Sequence, residues 1–281
     1  MKLAYDDAGR GDCVVLIHGH PFDRTLWAPQ VAALSDGFRV VAPGLRGFGR
    51  SPVTPQLAAL AGRFWVIAPD LRGFGRSPVT PHRVTMREYA ADIEELLDGL
   101  GIERAAIVGL SMGGLVAMEL AAFRPQRYWA IGLIATTMQP PTPQDRATRI
   151  ERAEAVERDG MAVLVDYMHT GLYGPHCPPG VRARVDAMMA GAPPAGAAAA
   201  LRGRADRPDY RPLLAGLDLP ALVCAGSADP WSDQAVTAEI AGSLKRPETI
   251  VIDGVGHLPN LEAEAEFNAA LGAFLRAHAP S

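Results

Sequence analysis

Residues 105–123 read AAIVGLSMGGLVAMELAAF. The opening AAIVG is apolar without alternation, as a strand covered on both faces of a sheet must be. The closing GGLVAMELAAF carries apolar residues at helical spacing and stops before Pro125. The joint between them is Gly109-Leu110-Ser111-Met112-Gly113-Gly114. Such a strand-to-helix turn is tight, and a side chain at Gly109 or Gly113 would strike neighbouring backbone. The turn lifts the Ser111 hydroxyl above the sheet edge and sets it at a helix N-terminus, whose amides favour negative charge.

The same alternation extends outward in both directions. Val14–His18, Phe38–Ala42, Phe64–Ala68, Tyr128–Ala135, Ala221–Ala225 and Glu248–Ile252 read as strands beside Ala105–Gly109. Helices are predicted over Thr85–Leu100, Gly113–Phe123, Ser232–Ser243 and Glu262–His278. Thr85 and Glu88 stand at capping-box spacing, and Gly101 ends that helix. Strand-then-helix order of this kind predicts an α/β fold with a mostly parallel, doubly wound sheet. The N-terminus leaves room for one short strand before Cys13.

The alternation breaks from about Pro140 to Leu217. Arg146–Arg158, Met161–Met168, Val181–Met189 and Ala195–Arg204 look helical, separated by Pro- and Gly-rich joints. Residues 140–217 are therefore expected to form a helical lid over the carboxyl edge of a core made of 1–139 and 218–281. Leu164, Met168, Leu172, Tyr173 and Met189, with Trp27 and Leu258, are the candidates to face a pocket beneath it. That set is mostly apolar and predicts a modest acyl group or a hydrophobic ring as ligand.

A tandem repeat lies in the N-terminal half. Residues 30–55 read QVAALSDGFRVVAPGLRGFGRSPVTP and residues 56–81 read QLAALAGRFWVIAPDLRGFGRSPVTP, identical at 19 of 26 positions. Each unit is one helix, one strand and one Arg- and Gly-rich loop, and two units are too few for a solenoid. Only one copy is needed for the sheet. Arg46, Arg50, Arg72 and Arg76 of the repeat are read as turn and surface residues.

Bulk properties narrow the function. The 281 residues suffice for one α/β domain with an insertion. Apolar residues make up 48% and the net charge is −4, so there is no basic field to hold nucleic acid. The three cysteines, Cys13, Cys177 and Cys224, are odd in number and widely spaced, which argues against a disulfide framework. MKLAYDDAGRG is not a secretory signal and no apolar run has membrane-spanning length, so the expected location is cytoplasmic, with no membrane partner.

A serine hydroxyl is a weak nucleophile and needs a base, which in turn needs an orienting acid. Of seven histidines, His257 stands out, in Asp253-Gly254-Val255-Gly256-His257 between the last strand and the last helix. A histidine there hangs over the same sheet edge as Ser111. Asp229 follows ALVCAGSA at the end of the strand after the insertion. Asp233 is its nearest rival, but falls at a helix start and is read as stabilising that helix. The strand ending Ala135-Thr136-Thr137 offers no carboxylate. An oxyanion would sit on two backbone amides, Met112 after the serine and His20 in the loop HGHPF.

The pieces HGHPFD, PDLRGFGRS, GLSMGG, AGSADP and GVGHLPNLE together resemble the α/β-hydrolase superfamily. They are similar to small bacterial esterases, 3-oxoadipate enol-lactonases and cofactor-free haloperoxidase-like enzymes. Ser111, Asp229, His257 is the serine–acid–histidine order of that family. The resemblance implies an α/β-hydrolase fold, an acyl-enzyme route on esters or lactones, and no metal or cofactor. Ser111 argues against the relatives that use an aspartate nucleophile. Members carry PDLRGFGRS once. Asp70 of the second copy matches that form and Gly44 of the first does not, so Phe64–Asp70 is expected to fill the usual strand slot. The surplus would be looped out, added as a strand, or exchanged within a homo-oligomer. Three other readings stay open: a perhydrolase with haloperoxidase-like activity, a slow-turnover ligand receptor on this scaffold, and an inert chain.

Overall fold

A computed structural model describes residues 2–35, 40–41, 64–80 and 82–280. Among the described residues the strands are β1 (Tyr5–Gly9), β2 (Asp12–Ile17), β3 (Val40–Val41), β4 (Phe64–Pro69), β5 (Ala105–Leu110), β6 (Tyr128–Ile134), β7 (Ala221–Gly226) and β8 (Pro247–Ile252). They form one eight-stranded sheet in the order β3-β1-β4-β2-β5-β6-β7-β8. Pairing is parallel from β4 through β8, and antiparallel where β1 meets β3 and β4. Every residue of β5, β6 and β7 is buried, which explains why their sequences are apolar without alternation.

The helices are α1 (Ala28–Ser35), α2 (Met86–Gly99), α3 (Met112–Phe123), α4 (Pro143–Asp159), α5 (Ala162–Met168), α6 (Pro179–Ala190), α7 (Pro194–Ala205), α8 (Arg211–Gly216), α9 (Gln234–Ser243), α10 (Pro259–Glu262) and α11 (Glu264–His278). The expected capping box of α2 is present, with Thr85 and Glu88 satisfying each other's backbone amides. Asp233 caps α9 by accepting from the Val236 amide, as its position at a helix start predicted. No helix among the described residues is long and apolar enough to cross a membrane.

Two elements differ from the sequence reading. The final helix is broken at Ala263, whose φ of −128° is not helical. The cause is Glu262, whose carboxylate leaves the helix surface to accept from the amides of Gly174, Gly256 and Leu258. The stretch between β6 and β7 holds five helices rather than four, the extra one being α8. Here α7 packs against α4. Its Ala- and Gly-rich face comes so close to the core that a Cβ on Gly196 would lie 2.0 Å from the Gly73 carbonyl oxygen. Only a residue without a side chain permits that contact.

The second repeat copy supplies β4, between β1 and β2. Of the strand expected at Phe38–Ala42, only Val40–Val41 is described, and it pairs with β1 at the sheet edge. The two copies keep one register on β1. Val40 and Val66 both lie opposite Ala8, and Val41 and Ile67 both lie opposite Asp7. What selects the second copy for the inner slot is Asp70, fully buried and 2.6 Å from the guanidinium of Arg24. Asp70 also accepts from the amides of Arg24 and Arg76, locking the loop after β4. Gly44 has no carboxylate to offer there. Arg72 pairs with Asp92 and Arg76 is exposed, while Arg46 and Arg50 lie outside the described residues.

Candidate active site

β5 ends in the turn that the sequence predicts. Ser111 has φ 55° and ψ −114°, a left-handed conformation that costs a non-glycine residue about 1–3 kcal/mol. The surroundings hold it there. The Ser111 amide donates to the Ile134 carbonyl at 2.8 Å, and its carbonyl accepts from Thr136 Oγ1 at 2.8 Å. A Cβ on Gly109 would lie 2.1 Å from the Gly113 carbonyl oxygen, and one on Gly113 2.1 Å from that of Ile17. The helix that starts at Met112 therefore packs directly on the sheet.

His257 follows β8 in a loop tied down at several points. Its amide donates to the Leu172 carbonyl at 2.9 Å, and Glu262 holds the amides on either side. Its Nδ1 lies 2.7 Å from Asp229 Oδ2, and both side chains are buried. Asp229 also accepts from the Trp231 amide at 2.9 Å and from Ser232 Oγ. Burial would raise the Asp229 carboxyl, but His257 and these two donors outweigh it and hold the group below its ordinary value. A carboxylate at Nδ1 fixes the tautomer that leaves Nε2 free as a base. The Trp231 ring stands edge-on to the imidazole, centroids 4.9 Å apart.

Ser111 and His257 line one cavity of 460 Å³ between the sheet edge and the inserted helices. The hydroxyl and the imidazole share that space without a hydrogen bond to one another among the described residues; such contacts commonly tighten only when substrate is bound. His20 lines the same cavity. The amides of His20 and Met112 donate to no backbone carbonyl among the described residues, so both remain available to an oxyanion. The loop bearing His20 is anchored from two sides. His18 Nε2 accepts from the Leu71 amide at 2.9 Å, and His20 Nε2 lies 3.0 Å from the Ala197 carbonyl oxygen. Burial lowers the pKa of both histidines, that of His20 to about 3, helped by the nearby Arg204 charge. Both imidazoles are neutral at physiological pH.

The pocket reading from sequence needs correction. Leu164 and Met168 of α5 do line the cavity. Trp27, Leu172, Met189 and Leu258 are buried in packing elsewhere, Trp27 beside Phe267 at 6.2 Å. Tyr173 turns its hydroxyl to Asp186 at 2.5 Å. The wall is built instead by α4 and the end of α7, because α7 is the helix whose small residues let it settle on the core. That wall is not apolar: it carries Arg149, Arg152, Arg204 and Arg207. Periodicity could mark these residues only as the polar side of a helix. Trp231 was also missed, since nothing in its spacing separates it from ordinary core.

The family model for the alpha/beta hydrolase fold matches residues 53–264, a span that contains the second repeat copy and excludes nearly all of the first. The chain is 32% identical over 257 residues to 3-oxoadipate enol-lactonase 1 of Acinetobacter baylyi, covering 90% of this chain and 85% of that one. An esterase from Thermogutta terrifontis, solved with malate bound, superposes with a TM-score of 0.87 at 34% identity, covering 98% of this chain and 94% of that one. The enol-lactonase from Burkholderia xenovorans LB400 gives a TM-score of 0.81 at 26% identity, covering 98% and 96%.

Proposed function

The chain belongs to the α/β-hydrolase family, and on that premise we propose that it is a serine hydrolase cleaving carboxylic esters or lactones through an acyl-enzyme. One observation carries the reading: the His257–Asp229 pair, 2.7 Å apart, opens on the same cavity as a serine held in a strained strand–helix turn. Ser111 Oγ attacks the substrate carbonyl while His257 Nε2 takes its proton. The oxygen that gains the negative charge sits on the Met112 and His20 amides at the N-terminus of α3. His257, now cationic and steadied by Asp229, passes its proton to the leaving alcohol, which departs as the carbonyl re-forms. For a lactone the leaving hydroxyl stays attached to the acyl chain. Water then adds to the acyl-enzyme by the same route, with His257 again as base, and releases the acid and the free serine.

The enol-lactonase and esterase relatives support this choice of bond. The test is turnover of short-chain aryl esters, acyl lactones and enol-lactones, with peroxide-dependent halogenation run alongside. At least one hydrolysis is expected to exceed halogenation, and Ser111→Ala to lower its kcat by about ten-thousand-fold or more. Full activity in Ser111→Ala would remove the serine from the mechanism.

A further inference from the structure

Arginines elsewhere on the two wall helices behave as surface residues do. Arg146 and Arg158 on α4 and Arg202 on α7 each face a carboxylate, Asp206, Asp159 and Glu157. Arg149, Arg152, Arg204 and Arg207 turn the other way, into the cavity that holds Ser111 and His257. Among the described residues none of these four forms an ion pair. Arg149 Nη1 and Arg204 Nε are buried with no hydrogen-bond partner at all. Arg207 donates only to backbone carbonyls, Gln139 at 3.0 Å and Arg204 at 3.4 Å. Arg152 lies flat against Tyr167, 3.3 Å from the ring centroid. Among the described residues of this wall the acid is Asp145, whose Oδ2 accepts from the Thr142 amide and hydroxyl at the start of α4. Its charge reaches Arg149 and Arg207 without forming an ion pair with either, one negative charge against four positive.

Such a cluster costs the empty protein stability, because buried cations repel one another and donors without acceptors lose their hydration. The strain shows in their acidities. Burial and mutual repulsion lower Arg204 to about 9 and Arg207 to about 10, while burial lowers Arg149. An anion bound among the four would relieve all of these terms at once.

We propose that the substrate carries a free carboxylate, remote from the bond that is cut, which these guanidinium groups bind while the ester or lactone carbonyl lies at Ser111. The inference rests on the ester-or-lactone reading and narrows it to half-esters or lactones of small polycarboxylic acids. Guanidinium forks match either a carboxylate or a phosphate. Phosphate sites, however, usually draw on free amides at a helix N-terminus. At the start of α4 Pro143 has no N–H to give, and the Asp145 and Arg146 amides already donate to Thr142. The cavity of 460 Å³ suits a small acid of this kind.

Three aryl esters of similar length test the proposal: monophenyl glutarate, neutral phenyl pentanoate and phenyl 3-phosphonopropanoate. The glutarate half-ester is expected to have a kcat/KM about 10- to 100-fold above the neutral ester, and above the phosphonate. Arg204→Gln and Arg149→Gln should each lower the glutarate-to-neutral ratio by about tenfold, with the lysine variants in between. Independently of turnover, free glutarate should raise the thermal midpoint of the wild-type protein and glutaramide should not, so variants that fail to fold leave the matter decided. A ratio near one in an active enzyme, with no effect of glutarate, would overturn the carboxylate site and leave the hydrolase standing. A leading phosphonate ester would reassign the site to phosphate. A glutarate shift without hydrolysis of any ester would keep the site and sink the hydrolase reading.

Discussion

His20 combines two duties at the residue scale. On the proposed mechanism its amide holds the oxyanion, and its ring ties that loop to α7 through the Ala197 carbonyl, 3.0 Å away. Burial first, and the Arg204 charge with it, keep the ring neutral, outweighing the Ala197 carbonyl, which on its own would favour a second proton. The folded pKa of about 3 lies below the ordinary 6.5, so the unfolded chain binds the proton that the native state refuses. Stability tied to this group is complete above about pH 6.5 and is lost as pH falls toward 3. The thermal midpoint is therefore expected to decline already between about pH 6.5 and 5, above the range where carboxylates titrate. His18, which burial also lowers, adds to the same decline, so His20→Asn should reduce its slope rather than abolish it. A wild-type midpoint constant from pH 6.5 to 5, or a decline unchanged in His20→Asn, would contradict this account of the loop.

The repeat poses its problem at the scale of the element, because two nearly identical strands compete for one slot. Hydrophobic pattern does not choose between them, since Val40–Val41 and Val66–Ile67 present equivalent residues to the same two positions of β1. A buried charge does. Arg24, with a side chain only 12% exposed, is shared between the partly exposed Asp6 and the fully buried carboxylate of Asp70, which only the second copy supplies. Asp70→Gly, which gives the second copy the residue of the first, should cost about 3 kcal/mol, the lower end for breaking a buried ion pair, because Asp6 remains beside Arg24. Excision of residues 36–61 removes one unit in register, joining Ser35 to Gly62, and should leave stability and ester turnover near those of the full chain. Thermal unfolding and steady-state rates read both. A collapsed excision variant, or an Asp70→Gly protein of unchanged stability, would contradict this account of the repeat.

Much of this was legible in the sequence. The apolar runs of β5 to β7 lack alternation because both faces are covered, and the glycines at 109 and 113 announce the turn because backbone lies about 2 Å from where a side chain would begin. The break at Ala263 was not legible, because Glu262 leaves its helix for amides distant in sequence, such as that of Gly174. The cavity wall was not legible for a related reason. Alternate arginines along α4 and α7 look alike on paper, and which of them turns inward depends on how α7 settles at Gly73.

At the scale of the whole molecule, the sheet gathers three side chains from turns 118 and 28 residues apart in sequence, at Ser111, Asp229 and His257, and the inserted helices roof them with positive charge. The fold supplies the strain at Ser111 and the orientation of His257; on the proposed reading the helices between β6 and β7 choose the substrate. The measurement that bears most directly on this arrangement is the site and rate of labelling by a fluorophosphonate, read by peptide mass spectrometry on the intact protein and on His257→Ala. The account predicts a single adduct on Ser111, formed about a thousand-fold more slowly without the imidazole. An adduct on another residue, or labelling of Ser111 at the same rate in His257→Ala, would contradict it.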